Sequence, residues 1–182
     1  PPVASGALFF YAAPAASNTV GNVVRAAGQI GFADGSIRTI FRMNEATGGG
    51  HAGILCMQGL AYMTASAGTG YGLGFREGSG GQLFLFRFSN GLQSAVALST
   101  GAFSVVAHTE YVLQLNWSVN VNGSGITLQG LAAAGSSFSA LSALYSSVQA
   151  SAFVSSFGEG FYGFQPGNNA VLDVTFDVSE AI

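Results

Sequence analysis

The chain has 182 residues, of which 49% are hydrophobic and only 7% charged, against about 25% charged in an ordinary soluble domain. Its cations are five arginines and its net charge is −3, which excludes a nucleic-acid binder, because phosphate contacts need a concentrated basic face. No apolar run approaches the ~18 residues that a membrane helix requires, so helical insertion into a bilayer is excluded as well.

The chain opens Pro1-Pro2 without a methionine or a signal-peptide pattern, and it reads as a processed chain or a segment of a longer one. Residues 1–27, rich in Ala and Pro, read as an N-terminal arm or edge segment. Residues 28–182 read as one domain, long enough to bury a core without disulfide staples. From there period-2 alternation broken by turn residues predicts an all-β, two-sheet antiparallel sandwich of jelly-roll type. The first clear strands are Ile37–Met43 and Gly53–Met57, and the second holds the single cysteine, Cys56, which reads as a small buried hydrophobe.

Tyr71 to Phe88 reads as a hairpin. Tyr71, Leu73 and Phe75 alternate with Gly72, Gly74 and Arg76, and Leu83-Phe84-Leu85-Phe86-Arg87-Phe88 follows. A loop over 78–81 sets Phe75 opposite Phe84, Leu73 opposite Phe86 and Tyr71 opposite Phe88, with the bulky residues on one face. The reverse face then carries Gly72, Gly74, Arg76 and Arg87, a trough open to a ligand or to another backbone.

A second hairpin follows from Tyr111 to Ala132. Pairing Val119 with Ile126 turns Trp117 and Leu128 into the core and leaves Gln114, Asn116, Ser118, Thr127 and Gln129 as a polar, uncharged outer row. Phe138, Leu141, Leu144, Tyr145 and Val148 then fall at helical spacing. A short helix near 137–149 capped by Ser136 or Ser137, or a long ordered crossover, fits this stretch. Phe161–Gln165 and Val171–Val178 complete the strands, with Leu172, Val174, Phe176 and Val178 pointing inward.

This order of features, from about Gly28 to Ser179, resembles the concanavalin A-like lectin/glucanase superfamily in its laminin-G-like branch. The resemblance is carried by Ser36–Met43, Gly48–Leu55, the paired segments Tyr71–Arg76 and Gln82–Arg87, Tyr111–Leu115 and Leu172–Asp177. It implies two stacked antiparallel sheets, a fold that hosts lectins, adhesion modules, glycan hydrolases and virion components alike.

The glucanase members that the resemblance brings in carry a Glu-x-Asp-x-Glu strand, and no such run exists here. Asp173 and Asp177, four apart on a strand, stand roughly 13 Å from each other, too far for the carboxylate pair of a glycosidase. His51 and His108 have no partner set at ligand spacing. The expectation is therefore that the chain is not an enzyme and holds no cofactor. The resemblance implies one metal alternative, calcium, for which Asp34 in the turn-like Ala33-Asp34-Gly35-Ser36 is the candidate ligand.

Two functions remain. In the first, a surface-displayed, non-catalytic module binds glycan through Arg76, Arg87, Gln114, Asn116 and Gln129, with Tyr62 and Tyr145 as loop aromatics for stacking. In the second, the chain is a structural assembly subunit, a virion decoration or an extracellular filament or coat protein. Its near-neutral surface then packs on copies of itself or on a scaffold protein, with Arg38, Ile40 and Arg42 as the interface. Both readings place it outside the cell, at a cell surface or on a virion, and as a homo-oligomer.

Overall fold

The computed structural model describes residues 8–12, 19–20, 24–25, 34–46, 51–58, 70–76, 82–89, 92–98, 103–119, 125–149, 157–165 and 172–181. Within these, side chains are described for 34–44, 53–54, 70–75, 83–85, 103–119 and 125–143. The elements are β1 (Leu8–Ala12), β2 (Thr19–Val20), β3 (Val24–Arg25), β4 (Asp34–Ala46), β5 (His51–Gln58), β6 (Gly70–Arg76), β7 (Gln82–Ser89) and β8 (Leu92–Leu98). After them come β9 (Glu110–Val119), β10 (Ile126–Ala134), a 3-10 turn (Phe138–Ala140), β11 (Ser142–Gln149), β12 (Phe157–Gln165) and β13 (Leu172–Ala181).

The strands form two antiparallel sheets. One is six-stranded in the order β1-β13-β4-β9-β10-β11; the other is seven-stranded, β2-β12-β5-β6-β7-β8, with β3 also paired to β12. β1 lies at one edge of the first sheet and β2 at one edge of the second.

Alternation builds the core. Ile37, Phe41 and Met43 of β4, Tyr111, Leu113, Leu115 and Trp117 of β9, and Ile126, Leu128 and Ala132 of β10 point inward from the six-stranded sheet. They meet Ile54, Tyr71, Leu73, Phe75, Leu83 and Leu85 from the seven-stranded one. The rings of Phe41 and Phe75, one from each sheet, stand 6.3 Å apart and tilted by 37°. Each such buried side chain contributes about 1.5–3 kcal/mol relative to exposure.

The second hairpin has the expected register: Val119 faces Ile126, and Trp117 faces Leu128. The first is displaced by one residue from the expected pairing. Phe75 faces Leu83, Leu73 faces Leu85 and Tyr71 faces Arg87, so the connection spans 77–81. Leu83 and Leu85 are in the core, while Phe84, Phe86 and Phe88 stand opposite Gly74, Gly72 and Gly70. The physical reason is volume. Glycines leave room beside bulky residues, so the segment 83–86, apolar at both parities, satisfies either register and loop length decides. No open trough results at that point, because Gly72 and Gly74 are buried and Phe84 is only 4% exposed.

The helix considered near 137–149 is replaced by one 3-10 turn and strand β11. Ser137 stands at the N-cap without a capping bond; its Oγ lies 2.8 Å from that of Ser139. The helical spacing of 144 and 145 has another cause. Gly130 pairs with Tyr145 and Leu131 with Ala143, so Leu144 is the extra residue of a β-bulge, which breaks the two-residue period.

A second correction concerns Asp34-Gly35, which lies inside β4, not in a turn. Gly35 stands opposite Trp117, and a Cβ there would come within 2.5 Å of the indole Cζ2. The glycine is needed for the tryptophan. Gly53 has the same logic toward backbone: it pairs with Gly74, and a Cβ on it would meet the carbonyl of Leu73.

Candidate functional site

The outer face of β4, β9 and β10 presents a row of polar side chains. On β9 the burial pattern alternates Leu113 in, Gln114 half-out, Leu115 in, Asn116 half-out, Trp117 in and Ser118 out. Across it on β10 stand Leu131, Gln129 and Thr127, and on β4 stand Arg38, Ser36 and Asp34. The residues read from sequence as a glycan row (Gln114, Asn116, Gln129) and as an assembly interface (Arg38, Ile40, Arg42) therefore share one face. Ser36, directly opposite Asn116, joins them; its even parity with Arg38 was the signal for it.

The three amides form a directed chain. Gln114 Nε2–H donates to Asn116 Oδ1 at 2.7 Å, and Asn116 Nδ2–H donates to Gln129 Oε1 at 3.1 Å. A primary amide has two N–H donors and an oxygen with two acceptor sites, so this chain uses less than half of their hydrogen-bonding capacity. Linked dipoles also reinforce one another. The result is a fixed, neutral array of donors and acceptors on the β9–β10 strand pair.

β4 borders this array with charge. The Arg38 guanidinium lies 4.6 Å above the centroid of the Phe138 ring, a cation–π contact that fastens the 3-10 turn over the sheet. Phe138 had been expected as a helix-face residue; nothing in the alternation of 34–46 announces its seat on Arg38. Arg42 Nε–H donates to Asn44 Oδ1 at 3.1 Å. Ile40, half-buried, stands between Val112 of β9 and Asp177 of β13.

Arg76 and Arg87 lie on the seven-stranded sheet, and the shifted register separates them: Arg76 pairs with Gln82, while Arg87 pairs with Tyr71. They do not share a row, because Gly72 faces Phe86 where the sequence pairing needed Arg87. Tyr145 occupies β11 opposite Gly130, with its side chain outside those described, and Tyr62 lies outside the described residues altogether. Cys56 and His51 are placed by backbone alone, on β5.

Asp34, the calcium candidate, opens β4 and accepts the Val119 N–H through Oδ1 at 3.1 Å. Among the described residues no three of His, Cys, Asp and Glu come together as a set that could hold a metal. His108 sits exposed in the turn before β9 with φ of 62°.

No family model matches the sequence, and no curated protein matches it. Solved structures do match in shape. An alginate lyase, Aly36B, in complex with an alginate tetrasaccharide superposes with a TM-score of 0.61 at 10% identity, over 96% of this chain and 80% of that one. Peanut lectin gives 0.50 at 13% identity over 98% and 93%. The Bacteroides ovatus mixed linkage glucan GH16 protein with its G4G4G3G product gives 0.59 at 13% identity, over 100% of this chain and 83% of that one. The fold is a concanavalin A-like jelly roll. At such identities the shape is what this jelly roll shares with them, and no residue role is transferred.

The same comparison corrects one expectation. The absence of a Glu-x-Asp-x-Glu strand and the spacing of Asp173 and Asp177 had argued that the chain is not an enzyme. Yet the similar jelly rolls include a lyase and a GH16 protein, so the architecture hosts polysaccharide cleavage, and one missing motif does not decide against it. Acids and bases other than a carboxylate pair also serve proton transfer.

Proposed function

We propose that the chain is a glycan-binding module of the concanavalin A-like fold, acting where glycans are displayed, at a cell surface or on a virion. Its binding surface is the outer face of β4, β9 and β10. The observation that carries this reading is the amide chain Gln114–Asn116–Gln129, flanked by the hydroxyls of Ser36, Ser118 and Thr127. A sugar offers hydroxyl groups that donate and accept at once, and neutral side-chain amides are the matching partners. The half-exposed amides keep donors and acceptors turned to solvent while their mutual bonds fix their rotamers, which lowers the ordering cost on binding. Support also comes from shape, since two of the similar structures were solved with oligosaccharides.

The test is retention on a panel of immobilised neutral and acidic polysaccharides, comparing the chain with Asn116→Ala and Gln129→Ala. Loss of one amide removes two hydrogen-bonding groups toward the ligand and unfixes its neighbours. The expected outcome is retention weakened about tenfold, equivalent to roughly 1.4 kcal/mol, with an unchanged melting profile. Retention that ignores both substitutions removes this face from consideration.

A further inference from the structure

We infer that Phe138 is the sugar-stacking residue of the amide face, and that the glycan it accepts is built of pyranose rings with equatorial hydroxyls. This rests on the glycan reading above and deepens it. Amides recognise hydroxyls, but a sugar ring also has an apolar face of C–H groups, which an aromatic ring matches. The sequence pointed to Tyr62 and Tyr145 for that task, whereas Phe138 stands beside the amides. It opens the 3-10 turn that follows β10 and precedes β11, and its ring reaches Arg38, with the guanidinium carbon 4.6 Å from the ring centroid. β9 lies between β10 and β4, so this contact passes over the outer side of β9. Arg38 is directly opposite Gln114, and the next outward position along β9 is Val112, opposite Ile40. Val112 is 0% exposed and yet stands outside the sandwich core cluster, as befits a residue covered from the outer side. The outer row of β9 therefore runs from an apolar, covered end at Val112 into the amides Gln114 and Asn116, with Phe138 at the junction.

The ring is fixed and partly open. The guanidinium holds it by a cation–π contact, which lowers the ordering cost when a ligand arrives. Phe138 is half-buried, while Ser137, Ser139 and Ala140 around it are exposed. Part of the ring thus meets solvent beside side chains too small to screen it. A rigid flat ring selects a flat partner. An axial hydroxyl on the stacked side holds the sugar away from the ring. A pyranose with equatorial hydroxyls turns only C–H groups toward it and directs its hydroxyls sideways, where Gln114 and Asn116 offer donors and acceptors.

Titration with cellotetraose, an oligomer of such rings, tests this on the full chain and on Phe138→Leu, Phe138→Trp and Asn116→Ala, each checked for an unchanged melting profile. Leucine keeps apolar bulk over Arg38 and loses the flat face; tryptophan keeps both. Affinity about tenfold weaker is expected for the leucine variant, and affinity equal to or above the parent's for the tryptophan variant. The tryptophan variant also gains an emission change on titration beyond any given by Trp117. Parental affinity in Phe138→Leu, with Asn116→Ala weakened, overturns the stacking role and leaves the amide face standing. Equal losses in both Phe138 variants reduce the ring to a fastening for the turn and overturn the inference as well. A parent that ignores cellotetraose overturns it too, and retention on another polysaccharide of the panel then preserves the glycan reading alone. Affinity unchanged in all three variants removes both.

Discussion

Trp117 and Gly35 show how one residue's identity dictates another's across a strand pair. The indole is 2% exposed and packs into the sandwich interior, and directly opposite it only a hydrogen fits on the Cα of Gly35, since a methyl would lie 2.5–3.1 Å from three indole carbons. The ring is held by the core on its other sides and has little freedom to retreat. Gly35→Ala is therefore expected to destabilise the fold by about 1–3 kcal/mol, the usual cost of overpacking, read as a lower urea midpoint with an unchanged slope. Tyr111 is a second residue with a double task. Its ring is in the core and edge-on to Phe103 at 5.5 Å, while its hydroxyl accepts the Val106 N–H at 2.8 Å and fastens the segment before β9.

At the scale of elements, the approach to β9 depends on one unusual turn. His108 has a φ of 62°, a left-handed conformation that costs an L-residue roughly 1–2 kcal/mol, and its N–H donates to the Met43 carbonyl at 2.8 Å. That bond joins the turn to the end of β4 and fixes where β9 begins. Replacement by glycine keeps the bond and removes the steric cost, so His108→Gly is expected to be neutral or stabilising by up to about 1 kcal/mol, whereas the β-branched His108→Val loses about 1–2 kcal/mol. Thermal melts of the two variants, displaced in opposite directions or with only the valine form lowered, check this. The strands themselves were legible because apolar and polar residues largely alternate in β4, β9 and β10, with Thr39, Ile40, Val112 and Leu131 as exceptions, so that a polar row contrasts with an apolar one. β7 lacked that contrast, being apolar at both parities from Leu83 to Phe86, and its register was misplaced by one. In β11 the bulge at Leu144 imitated a helical spacing. The amide row was visible as residue type and parity, but its chain of hydrogen bonds and the Phe138 seat on Arg38 depend on three-dimensional neighbours that no local pattern encodes.

For the whole molecule, scarcity of charge sets the expected physical chemistry. A surface with eight acids and five arginines in 182 residues has few long-range interactions for salt to screen. If the amide face holds glycan, retention on a neutral polysaccharide is expected to change less than about twofold between low and high ionic strength, because screening acts on charges and not on short neutral hydrogen bonds. Affinity electrophoresis at two salt concentrations measures this, and a steep decline would transfer the binding to the arginines.

β6 has a consequence of its own. Every residue from Gly70 to Phe75 is buried, with β5 hydrogen-bonded along one side and β7 along the other. It is a strand without an outside: its leucine, tyrosine and phenylalanine fill the core, and its glycines are buried between β5 and β7. Solvent reaches it last. Deuterium should therefore enter its amides only when the whole sandwich opens, so the slowest clock in this protein is read in a segment built half of glycine, the residue most often associated with mobility.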